Sequence, residues 1–232
     1  MTRAVQFTSE LKRVLALPRR VWSPADAAQL ALDLSQVLGD GTVSLRPIQA
    51  IALVELAQCR GLFAPIRVGG GKTLVSLLAA RMVGAERPLL LVPANLVDKT
   101  EREARTLRLH WDVPELVRVM SYEILGRVQA AEALDRYAPD LVFADECHRL
   151  KHANRAVTRR VMRYLKAHPE VVFAAASGTI TTRSILDYAH LVGRALGLGS
   201  PLPLSRNQRE EWSAALDGDG EVGVGELRRL CA

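Results

Sequence analysis

Two short stretches carry residue types that can do chemistry together. The first is Gly69-Gly70-Gly71-Lys72-Thr73, inside GLFAPIRVGGGKTLVSLLAARMV, Gly61 to Val83. Glycines let successive backbone N–H groups turn towards one anion, and a helix starting there adds partial positive charge. A lysine so placed reaches the β- and γ-phosphates of a nucleotide such as ATP, and the neighbouring threonine hydroxyl holds Mg²⁺. The full pattern, G-x-x-x-x-G-K-[ST], puts a glycine at position 66, where this chain has Ile66. The plain alternative is a flexible glycine turn before a helix.

The second stretch is Asp145-Glu146-Cys147-His148, closing the apolar run DLVFA. An aspartate at a strand end can take Mg²⁺, and the glutamate after it can orient and deprotonate an attacking water. Two acids at an exposed strand end are common in themselves. Their position downstream of a glycine-lysine-threonine loop, at the end of another strand, makes coincidence a poor account. His148 and His152 stand four apart beside Cys147, but no second ligand cluster completes a zinc site. Nothing in the sequence supplies Cys147 with a base or an oxyanion hole either.

These residues need elements to hold them. Ser23-Pro24 with Asp26 starts a helix whose apolar face is Leu30, Leu34, Val37 and Leu38, and Gly39 ends it. A second helix begins near Pro47. Short apolar runs then follow at LFAPI, PLLLVP, VRVMSY, DLVFADE and VVFAAAS. Helical patterns lie between and after them, at Thr73–Val83, Leu96–Leu107, Gly126–Tyr137, Asn154–Lys166 and Ser184–Leu196. That alternation predicts an α/β fold with a mostly parallel sheet covered on both faces. Right-handed crossovers bring every strand's C-terminal end to one edge, where such folds bind ligands. Beyond Gly197 the text changes to a Pro-bearing linker, a helical connector and a Gly-rich acidic turn, LDGDGEVGVGE, whose spacing does not make a calcium loop.

Bulk properties agree with an intracellular protein. The 232 residues carry a net charge of +6, nearly all from arginine, since the lysines are Lys12, Lys72, Lys99, Lys151 and Lys166 alone. A polyanionic partner explains that excess, and so does the codon usage of a GC-rich genome. Three scattered cysteines without a CxxC fit a reducing cytoplasm. No apolar run reaches the length of a membrane span, and the N-terminus lacks the apolar core of a secretory signal.

Taken in order, the motifs resemble the N-terminal motor lobe of a superfamily 2 DExH-box helicase or translocase, most closely the Swi/Snf-type ATPases in their bacterial or phage form. The likeness covers Leu45 to Leu198. LRPIQ resembles the opening motif, in which Gln49 reads the adenine edge. VGGGKT resembles motif I, and LVPANLV the strand-to-helix turn that touches the nucleic-acid backbone. VMSYEIL resembles the next strand-end motif on the DNA side. DECHRLKH resembles the DEAH-type box, and SGTITTR, Ser177 to Arg183, the motif that couples hydrolysis to movement.

The resemblance implies a RecA-like fold, ATP with Mg²⁺, and translocation along nucleic acid, usually double-stranded DNA. Carried over, Gln49, Gly69, Gly70, Gly71, Lys72, Thr73, Asp145 and Glu146 form the nucleotide site. Pro93, Asn95, Ser121, Tyr122 and Lys151 become candidate phosphate-backbone contacts, and His148, Ser177 and Thr179 candidate couplers. Cys147, His152 and Ile180 depart from the usual residues at their positions. The implied organisation is an N-terminal helical extension over 1–44, the RecA-like lobe over 45–198, and a connector over 199–232. The family's second RecA-like lobe, with its arginine finger, has no room after Leu198. Three readings follow: a motor lobe served by a second lobe elsewhere, a non-catalytic ATP- and DNA-binding module or truncated fragment, and an unrelated phosphate-loop enzyme such as a nucleotide kinase. The coupling motif and the lack of an acceptor-binding lid weigh against the last.

Basic and aromatic side chains add candidates. Arg155, Arg159, Arg163 and Lys166 form one helix stripe, opposite Val157, Val161, Tyr164 and Leu165. Such a stripe reads as a solvated face or as a DNA track. Trp111, Trp212 and Tyr122 are candidates for base stacking.

Overall fold

The computed structural model describes residues 8–180 and 184–216. The last coupling-motif positions, 181–183, and the Gly-rich acidic tail with Cys231 lie outside the described residues. In chain order the elements are α1 (Ser9–Leu15), α2 (Pro24–Leu38), α3 (Pro47–Cys59), β1 (Gly61–Ala64), α4 (Lys72–Val83), β2 (Pro88–Val92), α5 (Val97–Leu107), β3 (Arg118–Ser121), α6 (Tyr122–Gly126), α7 (Ala133–Tyr137), β4 (Leu141–Asp145), α8 (Ala156–Ala167), β5 (Val172–Ala176), α9 (Leu186–Leu196) and α10 (Arg206–Leu216). The chain divides into two compact units, one spanning Trp22–Ile180 and the other made of Met1–Val21 with Thr181–Ala232.

The larger unit holds the sheet, in the order β1-β5-β4-β2-β3, with every pair parallel. β2, β4 and β5 are buried at every position, as central strands covered on two faces must be. Their runs are therefore continuously apolar and show no alternation. The crossovers from β1 to β2 and from β2 to β3 run one way along the sheet, and those from β3 to β4 and β4 to β5 run back. Right-handed connection puts α4 and α5 on one face and α6, α7 and α8 on the other. α3 packs on α4, and α2 on α3, as an outer layer.

Local chemistry explains the boundaries. Ser23 Oγ accepts the Asp26 N–H at 3.1 Å, capping α2, and Pro24 occupies its first position. Ala27, Ala31 and Leu38 of this helix are buried, so α2 packs within the sheet-bearing unit. The helix expected over Gly126–Tyr137 is instead broken. Arg127 is extended, a short 3₁₀ turn covers Val128–Ala130, and α7 follows. Trp111 is 4 % exposed in the core cluster, with Gly39 close against its ring, so it has no face to offer a base.

In the smaller unit, α1 is joined to the segment after α9 by two side chains, Arg13 and Glu10, the latter accepting the Leu204 N–H at 3.3 Å. The Arg13 guanidinium donates to the carbonyls of Leu198, Ser200 and Leu202 at 2.6, 2.8 and 2.9 Å. Glu10 holds the same guanidinium at 2.9 Å. No helix among the described residues is long and apolar enough to cross a membrane.

Candidate functional site

The loop after β1 and the ends of β5 and β4 meet at the C-terminal edge of the sheet. The loop is wound by its own backbone, with the Gly70 N–H donating to Arg67 O at 2.9 Å. Gly71 then enters α4 at φ 81°, a left-handed conformation that disfavours any side chain. A Cβ there would also overlap the Gln49 amide. Lys72 and Thr73 are the first residues of α4, so the N–H groups of its first turn face the loop.

Two residues of the LRPIQ stretch brace this loop. Gln49, 5 % exposed, accepts the Arg46 N–H on its side-chain oxygen at 2.7 Å and donates through Nε2 to Gly71 O at 3.2 Å. The Arg46 guanidinium donates to Gly69 O. Both functional ends of the Gln49 amide are thus engaged by the protein, in support of the glycine loop. Arg46 was not legible as a site residue, because nothing about an arginine before a proline signals a contact 23 positions away.

Lys72 is buried to 8 % exposure and its Nζ lies 3.2 Å from Glu146 Oε1. That ion pair joins the loop after β1 to the end of β4 across the intervening strand β5. On the other carboxylate oxygen, Glu146 Oε2 stands 3.2 Å from His148 Nδ1 and accepts from Ser177 Oγ at 3.3 Å. Ser177 Oγ also accepts the Thr179 N–H at 3.2 Å and lies 3.2 Å from His148 Nδ1. The sequence-predicted residues Lys72, Glu146, His148 and Ser177 therefore form one hydrogen-bonded group, with Thr179 attached through its backbone. Gly178 explains how β5 fits so closely: a Cβ there would come within 3.0 Å of the Val68 N and 3.4 Å of Lys72 Nζ.

Glu146 sits at φ 52°, ψ 50°, a left-handed conformation costing a non-glycine residue roughly 1–2 kcal/mol. Its N–H donates to Asp145 Oδ1 at 2.9 Å, which holds the turn. Asp145 is 7 % exposed, and burial, reinforced by the adjacent Glu146 charge, pushes its carboxyl up to about 6. Cys147 is fully buried behind it, and burial pushes its thiol up to about 12, so it stays protonated and packs as an apolar residue.

The residues present suit a nucleotide and a hard cation. Two left-handed glycines shape the loop, the second leaving no room for a side chain beside Gln49, and Lys72 brings a buried ammonium to it. Thr73 and Asp145 offer oxygen ligands, the chemistry Mg²⁺ selects. A cation would also offset the burial and the adjacent Glu146 charge that raise the Asp145 carboxyl.

Along the same edge, the candidates at β2 and β3 divide into two kinds. Asn95 is exposed in a short 3₁₀ turn, Ala94–Leu96, and Lys151 is half-buried after β4. Pro93, Ser121 and Tyr122 are buried. Ser121 Oγ caps α6, accepting the Ile124 N–H at 3.1 Å, and the Tyr122 hydroxyl donates to Asp145 O at 2.6 Å. Burial drives the Tyr122 phenol well above its ordinary value. Both hydroxyls are committed inside the fold, so neither side chain meets a phosphate in solvent. A strand-end serine or tyrosine looks the same in sequence whether it caps a helix or touches a ligand. Glu123, beside them, links three loops: its Oε2 accepts the Ala94 N–H at 2.9 Å and its Oε1 lies 3.8 Å from Arg149 NH1.

No protein-family model matches the sequence, and no curated protein matches it. Solved structures do. The UvsW helicase from bacteriophage T4 superposes with a TM-score of 0.51 at 15 % identity, over 78 % of this chain and 67 % of that one. At that identity the likeness is one of fold: a five-stranded, all-parallel α/β sheet flanked by helices, as in a RecA-like helicase lobe.

Proposed function

We propose that this chain is the ATP-binding motor lobe of a DNA-dependent ATPase, a helicase or translocase of the DExH-box, Swi/Snf-like kind, working in the cytoplasm of a bacterial cell or a phage-infected host. The observation that carries this reading is the 3.2 Å pair between Lys72 and Glu146, since it brings a phosphate-binding ammonium and a water-activating carboxylate to one point. The fold shared with a helicase supports the choice over a nucleotide kinase.

In this reading Gly69, Gly70, Gly71 and Lys72 bind the triphosphate, with Gln49 and Arg46 keeping the loop in shape. Thr73 and Asp145 hold Mg²⁺, which neutralises developing charge on the phosphoryl oxygens when bound. Glu146 gives up Lys72 to the phosphates, and its freed carboxylate orients and deprotonates water. His148 and Ser177 keep that carboxylate aimed and connect it, through Thr179, to the chain leaving β5. Full turnover takes an arginine finger from a second RecA-like lobe, on another chain or another part of a longer protein, an addition worth a thousandfold or more, on the order of 10³–10⁵.

Steady-state ATP hydrolysis with and without duplex DNA, beside Lys72→Ala and Glu146→Gln, tests this. Lys72→Ala should weaken ATP binding about 100-fold, since it removes charge-assisted bonds to phosphate. Glu146→Gln should keep binding and lose whatever turnover the parent has. ATP binding undiminished in Lys72→Ala would sink the assignment. Tight ATP and DNA binding with no turnover, even with a second lobe added, would favour a non-catalytic regulatory module.

A further inference from the structure

Beyond β4, on the face opposite the phosphate loop's helix, lies a pocket of about 430 Å³ lined by Tyr122, Glu123, Gly126, Arg127, Arg149 and Arg155, with Ala156 and Val157 at the start of α8. Three guanidinium groups and one carboxylate face it. That carboxylate is occupied, since Glu123 takes the Ala94 N–H and stands opposite Arg149 at 3.8 Å. Among the described residues neither Arg127 nor Arg155 has an ion-pair partner, and both are exposed. Arg149 Nε is buried with no hydrogen-bond partner. The pocket thus has an excess of positive charge and a buried donor with nothing to receive its proton.

The walls are fixed. Arg160, one turn into α8, donates to the carbonyls of Leu125 and Arg127, the latter at 2.9 Å, and so pins the end of α6 against α8. α8 is 12 residues long and no side chain caps its start, so its first-turn N–H groups and the positive end of its dipole face the same space. Guanidinium forks and helix N–H groups together are the donors that a phosphate's oxygens fit best. The apolar remainder, Gly126 and Val157, offers nothing that reads a base.

We propose that this pocket seats a backbone phosphate of DNA between Arg127, Arg149, Arg155 and the first turn of α8. The inference rests on the DNA-dependent reading above and gives it a specific contact. Continuity favours a nucleic-acid strand over a free anion: Glu123 ties the pocket to Ala94, whose neighbour Asn95 is exposed on the same sheet edge. A strand crossing that edge would meet Asn95 first and the arginine pocket next, in contacts that fix position without reading sequence.

The experiment is fluorescence anisotropy of a duplex oligonucleotide, titrated at several salt concentrations with the parent, Arg127→Ala, Arg155→Ala and Arg87→Ala, an exposed position just before β2 at the opposite end of the sheet. Each pocket variant should weaken binding about tenfold and reduce the slope of log affinity against log salt by roughly one, while Arg87→Ala leaves both unchanged. Arg155→Lys should recover part of the loss. Binding of a fluorescent ATP analogue should be the same in all of them, which separates pocket loss from misfolding. Unchanged DNA affinity and slope in Arg127→Ala and Arg155→Ala, with a parent that binds duplex, would overturn the pocket and leave the proposed function standing. A parent that binds ATP but no duplex overturns both. Calorimetric titration with inorganic phosphate separates the sources: phosphate binding lost in Arg155→Ala, with DNA affinity unchanged, would make this a free-anion site and overturn the DNA assignment.

Discussion

The two halves of the sheet's C-terminal edge are built by different means. Around β1, β5 and β4 the polar groups are buried and bonded to one another: Gln49 to the loop backbone, Lys72 to Glu146, Glu146 to Ser177. Around β2, β3 and α8 the buried polar residues hold the scaffold, and the groups free to meet a ligand are exposed arginines. In the first region the residues that look like a motif are the ones brought together, and the proposed function gives them the chemistry. In the second, Ser121 and Tyr122 look like a motif and act as structure, while Arg127 and Arg155 belong to no motif. A crevice that positions charge for a reaction needs each group fixed, whereas a surface that follows a polyanion needs only charge on rigid elements.

Substitutions at three positions sharpen that contrast. The largest effect should come from Gly71→Ala, where a left-handed backbone and the overlap with Gln49 add to a cost of roughly 2–4 kcal/mol. Chemical denaturation should show that loss, and ATP affinity should fall with it. An alanine tolerated there would mean that the loop is not held in the shape described.

Next is Asp145→Asn, with the opposite sign. A carboxyl raised to about 6 keeps its proton longer in the folded state than the ordinary value of 3.8 allows in the unfolded chain. Between those two pH values the folded state binds more protons, so Asp145 subtracts stability as pH rises through the window, and the full penalty stands above pH 6. Asparagine still accepts the Glu146 N–H without the charge. It should stabilise the protein by on the order of 1–3 kcal/mol at neutral pH, with the difference vanishing near pH 4. Thermal melts of both proteins across that range check it. A variant less stable than the parent at pH 7 would show that the carboxylate is held at no cost.

The smallest effect belongs to Tyr122→Phe. Removing the hydroxyl leaves the buried Asp145 carbonyl without that donor, at about 1–2 kcal/mol. Duplex affinity should not move, the reverse of the pattern expected for Arg155→Ala. Weakened DNA binding at unchanged stability would return Tyr122 to the contact surface.

Much of this was legible in sequence, for identifiable reasons. The three central strands announce themselves because strands buried on both faces need not alternate, and PLLLV, LVFAD and VFAAA do not. Gly71, Lys72, Asp145 and Glu146 stand out because the chemistry proposed for them requires their types at strand-to-helix turns. The strand order was not legible, since Gly61 pairs with Phe173 for reasons no local pattern carries. The break in the helix expected over Gly126–Tyr137 depends on Arg127 turning extended and on Arg160 reaching back from α8, a contact 33 positions away. The arginine pocket draws on two separate segments, one after β3 and one between β4 and α8, so its members never appear together as a motif in the chain.

The position of β5 has a consequence for how the protein is made. Among the described residues β1, which leads into the glycine loop, is an edge strand paired with β5, which follows the other four strands of the sheet in the chain. The pairing closes a loop containing nearly all the rest of the sheet, and such long-range closures come late and slowly. On the ribosome, β2, β3 and β4 can assemble while β1 waits unpaired. The ammonium of Lys72 meets the carboxylate of Glu146 only when β5 slides between their strands. Under the proposed function the site is thus a reporter of completed folding: a chain that has yet to finish lacks the crevice proposed for a nucleotide, and a nucleotide bound there would draw the equilibrium towards the finished state.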